Sequence, residues 1–131
     1  MPTVFVTGAS SGIGEETAKH LASLGLTVYA GARRVERMQA ELAPLGIRPV
    51  ALDVTDDTSM RTAVARVLSE SNDRIDALVN IAGYGEYGAV EYVPIDDARR
   101  QFEVNLFGMA RLIQLVLPSM RARGRGRIIN I

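Results

Sequence analysis

Residues Thr7-Gly8-Ala9-Ser10-Ser11-Gly12-Ile13-Gly14 decide the fold. They follow a β-branched and aromatic run, Thr3–Thr7, and open a stripe at helical spacing formed by Ile13, Thr17, Leu21 and Leu24. A glycine-rich turn between a buried strand and a helix favours an anion. The free N–H groups and the dipole of the helix start face the turn, and glycine removes the Cβ that would keep a phosphate away. The spacing is Gly-x-x-x-Gly-x-Gly. A P-loop needs Lys after its last glycine, and Glu15 stands there. The Gly-x-Gly-x-x-Gly fingerprint also fails, because Thr17 occupies the place of its third glycine.

Outward from this turn, short β-rich runs alternate with helical stripes. Gly25 sits where a helix C-terminal glycine belongs, and Thr27–Ala30 reads as a second strand. Val35, Met38, Leu42 and Leu45 form a second stripe, closed by Pro44 and Gly46. Arg48–Leu52 is a third strand. Asp56 or Asp57 caps a third helix with Met60, Val64, Val67 and Leu68 inward, and Ile75–Asn80 is a fourth strand. A loop bearing Tyr84, Tyr87 and Tyr92 leads to one long helix, capped by Asp96 with Ile95 as a hydrophobic staple. Phe102, Leu106, Met109, Ile113, Val116 and Leu117 make its apolar side, and Pro118 should kink or end it. Arg127–Ile131 is a fifth strand. Such alternation predicts an α/β fold, a doubly wound parallel sheet of five strands with four helices.

Composition narrows the function. Fifteen basic and 15 acidic residues in a chain of 131 give zero formal net charge, which argues against a surface-wide nucleic-acid footprint. The alternating Arg121, Arg123, Arg125 and Arg127 lack interleaved aromatics and read as a solvated turn. With no Cys and one His, neither a disulfide scaffold nor a metal site is expected. The N-terminus lacks a signal-peptide pattern, and no apolar run approaches a membrane span. The expectation is a cytoplasmic protein with no membrane or nucleic-acid partner.

The end of the second strand carries the cofactor preference. In dinucleotide folds an acid near this point binds the adenosine ribose 2′-OH. Here Ala32, Arg33 and Arg34 stand there, with no acid before Glu36. A guanidinium binds a 2′-phosphate that a carboxylate would repel, so NADP, with NADPH preferred over NADH, is the expected cofactor.

Together these residues resemble the short-chain dehydrogenase/reductase family, over essentially all 131 residues. Thr7–Gly14 looks like its Thr-Gly-x-x-x-Gly-x-Gly motif, and Asp53-Val54 like the acidic turn that meets adenine. Asn80-Ile81-Ala82-Gly83 is similar to its Asn-Asn-Ala-Gly motif, with Ile81 replacing the second Asn. Val104-Asn105-Leu106-Phe107-Gly108 resembles the segment that carries the Asn of the catalytic tetrad. The wording Ala82-Gly83-Tyr84-Gly85 is most similar to the ketone, hydroxysteroid and retinol reductase branch.

The resemblance implies a Rossmann-type domain and hydride transfer between nicotinamide and a carbonyl or alcohol substrate. It implies cofactor contacts from Gly8, Ser10, Ser11, Gly12, Ile13, Gly14, Arg33, Arg34, Asp53, Val54, Asn80, Ala82 and Gly83, and a proton-relay role for Asn105. It also implies a homodimer or homotetramer for the full-length form. The family's Tyr-x-x-x-Lys is absent, since the only Lys, Lys19, follows Glu15 at that spacing. Residues 1–131 are therefore expected to be the NADP-binding portion of a single domain, truncated after the fifth strand, lacking the catalytic Ser and inactive alone. The alternative is a non-catalytic NADP-binding or sensing module.

Overall fold

A computed structural model describes all residues, Met1–Ile131. The chain runs β1 (Thr3–Thr7), α1 (Gly12–Ser23), β2 (Thr27–Ala32), α2 (Val35–Glu41), β3 (Arg48–Ala51), α3 (Asp57–Glu70), β4 (Ala77–Asn80), α4 (Ile95–Phe102), α5 (Met109–Ala122) and β5 (Arg127–Asn130). A single 3₁₀ turn, Ala43–Leu45, follows α2 and ends on Gly46 in the left-handed region at φ 80°.

All five strands are parallel, in the order β3-β2-β1-β4-β5. The chain winds from β1 to β3 one way, then returns past β1 to lay down β4 and β5. The β1–β4 boundary is thus a topological switch point, and the crevice beyond the carboxyl ends of these strands is where such sheets bind ligands.

Helices cover both faces of the inner strands, so side chains of β1, β2 and β4 are buried or half-buried whichever way they point, while the edge strands β3 and β5 keep exposed residues. Phe5, Tyr29, Val50 and Leu78 pack on α3 and α5, against Met60, Val64 and Val67 and against Leu112, Val116 and Met120. Val4, Val6, Val28 and Ala30 pack on α1 and α2, against Ala18, Met38 and Leu42.

Three sequence expectations need correction. In α1, Ile13 and Leu24 are 65% and 61% exposed, and the buried residues are Gly14 and Ala18. Small residues let this helix lie close to the sheet, which the apolar stripe concealed. The fourth helix starts after Pro94, not on an Asp96 cap, and Ile95 is exposed rather than a staple. It is then interrupted by a π-helical stretch, Glu103–Gly108, before continuing as α5. Pro118 lies inside α5 without ending it. Third, the arginines before β5 are not all solvated. Arg123 donates to Asp76 Oδ1 at 2.7 Å and to the Ile75 carbonyl at 3.3 Å.

Asp76 is the knot at the amino ends of the strands. Its Oδ2 accepts from the Thr3 N–H at 2.7 Å and from Arg74 at 2.8 Å. Burial opposes its ionisation, but the Thr3 N–H and the Arg74 and Arg123 guanidiniums outweigh that and hold its carboxyl below the ordinary value.

Candidate functional site at the carboxyl ends of the strands

The turn after β1 builds the floor of a cleft. Gly8 has φ +63° and Gly12 φ +57°, a region that L side chains enter only with strain. Gly14 needs glycine for a different reason: a Cβ there would collide with the Gly8 carbonyl. A Cβ on Gly8 would in turn come within 2.7 Å of the Ala82 N. The turn is drawn tight against the start of α1 and the end of β4. Thr7 fixes this register, its buried hydroxyl accepting from the Ile81 N–H at 3.0 Å and the Ala82 N–H at 3.1 Å. The Ser11 side chain makes no cap hydrogen bond, and no Cβ or neighbour crowds Gly12. Open N–H groups at a helix start, with a cradle that Cβ atoms would fill, fit a pyrophosphate.

Around this floor lies a cleft of about 400 Å³. Gly8, Ser10, Ser11, Ile13 and Gly14 line it from the first turn. Gly31, Ala32, Arg33 and Arg34 line it from the end of β2, and Leu52, Asp53, Val54 and Thr55 from the end of β3. Ile81, Ala82, Gly83 and Tyr84 close it behind β4, with Arg100 and Val104 from the fourth helix. Eleven sequence-predicted positions thus converge from four separate segments.

Two do not reach the wall. Gly12 contributes backbone conformation beside it. Asn80 is buried, its Nδ2 donating to Asn130 Oδ1 at 2.9 Å, so it ties β4 to β5 below the cleft. Asn105 reaches the rim indirectly. Its Nδ2 donates to the Tyr84 carbonyl at 2.7 Å and its Oδ1 accepts from the Tyr84 N–H at 3.0 Å. One amide N–H and one lone pair stay uncommitted.

The π-helical stretch explains how Asn105 gets there. Gly108 sits against Val54 so closely that a Cβ would overlap the Val54 carbonyl, so the helix rests on the turn that lines the cleft. Stretches of this kind recur at functional sites.

Asp53 is an ionised acid in the cleft. The Thr55 hydroxyl, donating at 2.6 Å, and the Thr55 N–H, at 2.9 Å, hold its carboxyl below the ordinary value. Burial works against them, and the Arg33 and Arg100 charges add smaller pulls downward. Both Thr55 bonds fall on Oδ1, which leaves Oδ2 without a partner.

Sequence reasoning gave no role to Thr55, Arg100 or Val104, took Thr7 only as part of the turn motif, and left Tyr84 open between lining a pocket and packing its loop. Thr55 had a signal in the Asp-x-Thr spacing, which lets a hydroxyl turn back onto the carboxylate. Arg100 and Val104 are four residues apart, hence on one helix face, but nothing local says that this face meets the cleft. No group of three metal-ligating side chains occurs, and no helix is long and apolar enough to cross a membrane.

Comparison with known proteins agrees with this geometry. The short chain dehydrogenase family model matches residues 2–131. A 3-ketodihydrosphingosine reductase of Bacteroides thetaiotaomicron is 38% identical over 128 residues, which cover 98% of this chain and 45% of that protein. A short-chain dehydrogenase from Streptomyces avermitilis superposes with a TM-score of 0.92 at 40% identity, covering 98% of this chain and 48% of that one. A variant of actinorhodin polyketide ketoreductase, determined with NADPH, gives 0.92 at 34% identity, covering 98% and 52%. The chain belongs to the short-chain dehydrogenase/reductase family, and it has the Rossmann-like fold of that family. It spans about half the length of these relatives.

Proposed function

We propose that this chain carries the NADP(H)-binding part of an oxidoreductase acting on a carbonyl or alcohol carbon. The observation that carries the reading is the pairing, in one cleft, of a phosphate-shaped glycine turn with Arg33 and Arg34. Neither arginine makes a salt bridge, and the one acid lining the cleft with them is Asp53, at the end of β3. The NADPH in the structure of the actinorhodin ketoreductase variant supports the same assignment.

In this reading the Gly8–Gly14 turn holds the pyrophosphate, with Ser10 and Ser11 hydroxyls available to it. Arg33 and Arg34 face the 2′-phosphate with charge-assisted bonds. Asp53, whose Oδ2 has no partner, would hold the adenine amino group, with Val54 beside it in the cleft wall. Ala82 and Gly83 shape the wall towards the reacting end. Nicotinamide, when bound, supplies or accepts the hydride. Asn105 steadies the Tyr84 backbone beside that end and offers its spare N–H and lone pair to a relay water. The Tyr-x-x-x-Lys pair that would move the proton is not among these residues. We further assign the protein a cytoplasmic setting and self-association through the long helix, where Leu106 and Phe107 are 43% and 56% exposed.

The test is a fluorescence titration of NADPH and NADH into wild type and Arg33→Ala. Wild type is expected to bind NADPH at least tenfold more tightly, with the preference lost in the variant, since one charge-assisted contact is worth about 1.5–3 kcal/mol. Equal wild-type affinity for the two cofactors would overturn the NADP assignment.

A further inference from the structure

Most arginines of this chain are committed. Arg37, Arg61, Arg66, Arg74, Arg99, Arg111, Arg123 and Arg125 stand in salt bridges, and Arg48 bonds and stacks on Tyr29. Arg100 is not. It sits beside Arg99, which pairs with Asp96 at 3.3 Å, yet Arg100 itself makes no salt bridge or side-chain hydrogen bond. It lies one helical turn before Val104, and both residues line the cleft. Arg33 and Arg34, the other cleft arginines, are equally without partners.

Three exposed, uncommitted arginines therefore line one cleft from two walls, the end of β2 and the fourth helix. Only one acid, Asp53, lines the same space. Arg33 and Arg100 both act on that carboxylate, which places both charges within electrostatic reach of Asp53. A partly enclosed cleft concentrates such a field. Unpaired cations gathered around a single carboxylate repel one another until a polyanion enters, so the arrangement favours a ligand with more than one negative charge.

We propose that Arg100 is a specificity-determining residue that binds the 2′-phosphate of the adenosine ribose from the α4 wall, opposite Arg33 and Arg34. The inference rests on the NADP(H) reading above and adds a recognition group that the cofactor motifs of the sequence do not contain. Arg100 stands on α4, whereas Arg33 and Arg34 stand between β2 and α2, so discrimination between the two dinucleotides is shared between two walls.

The test uses adenosine 2′,5′-bisphosphate and ADP as probes, titrated calorimetrically into the full chain in low salt. Wild type, Arg33→Ala, Arg100→Gln and Arg100→Lys are compared, with thermal melts to confirm that each folds. Arg100→Gln is expected to weaken the bisphosphate about five- to tenfold while leaving ADP within about twofold, because the contact is partly exposed and screened. Arg100→Lys is expected to restore part of the loss and Arg33→Ala to produce a larger one. If Arg100→Gln leaves the bisphosphate unchanged while Arg33→Ala weakens it, the role of Arg100 is overturned and the NADP(H) reading stands. If Arg100→Gln weakens both probes equally, Arg100 acts on the shared adenosine and not on the 2′-phosphate, which also overturns the proposal. If wild type binds the two probes alike, the underlying reading fails before the variants are compared.

Discussion

Asn105 and Tyr84 are joined by two hydrogen bonds, side-chain amide to backbone amide, across 21 residues of sequence. The pair resembles one rung of a sheet ladder, supplied by a helix to a loop. It connects the π-helical stretch to the segment behind β4 that closes the cleft. Gly83 makes this approach possible, since a Cβ there would stand 2.9 Å from Asn105 Oδ1.

Asn105→Ala removes both bonds and leaves the Tyr84 N–H to solvent. Global stability should fall by only about 1 kcal/mol, because water can replace the partners on an exposed loop. The local effect is larger. Amide exchange at Tyr84 should become unprotected, while that of Val79 in β4 keeps its protection. Unchanged exchange at Tyr84 would show that the loop is held by something other than Asn105.

The glycines of the first turn differ in what they tolerate. Gly14→Ala places a methyl group against the Gly8 carbonyl, a backbone atom that cannot step aside, and should destabilise by about 3 kcal/mol or more. Gly12→Asn meets open space, and Asn enters the left-handed region more readily than most residues, so it should cost about 1 kcal/mol or less. Chemical denaturation of both variants checks the order. A larger loss at Gly12 would contradict the described turn.

Asp76 predicts a pH dependence. Its folded carboxyl lies below its ordinary value, so the stability it contributes is present above the unfolded value and lost as pH falls through the folded one. Asp76→Asn should therefore lower stability at neutral pH, by about 1–2 kcal/mol for the lost charged hydrogen bonds. The gap between variant and wild type should stay constant down to about pH 4, near the free Asp value, and shrink below it. A gap that widened in acid would mean that the carboxylate is destabilised in the fold.

Much of the fold was legible because β-branched runs marked the strands and apolar stripes marked most of the helices. The glycine turn was legible because backbone conformation leaves residue-type evidence: a Cβ at Gly8 or Gly14 would meet backbone atoms, and Gly12 holds a positive φ. The helix boundaries around Ile95 and Pro118 were not, since Asp96 is as good a cap as any until Pro94 takes the position. A π-helical stretch has no local signature, because Val104–Gly108 reads as ordinary helix until Gly108 meets Val54 in space. Arg100 was invisible for the same reason. Its place on the rim of the cleft is decided by residues about 50 and 70 positions away, Asp53 and Arg33, and no local pattern encodes that. The Arg123–Asp76 pair was misread because alternating arginines resemble a solvated turn, and only the return of α5 to the start of β4 creates the partner.

The central claim is that the crevice at the β1–β4 switch point holds the dinucleotide. The most direct measurement is a nuclear magnetic resonance titration of the isotope-labelled chain with NADPH. The largest amide shifts should fall on Gly8, Ser10 to Gly14, Arg33, Asp53 and Ala82, with Asp76 and its neighbours at the far end of the sheet unmoved. Shifts confined to the far end, or no saturable shifts in the first turn, would contradict it.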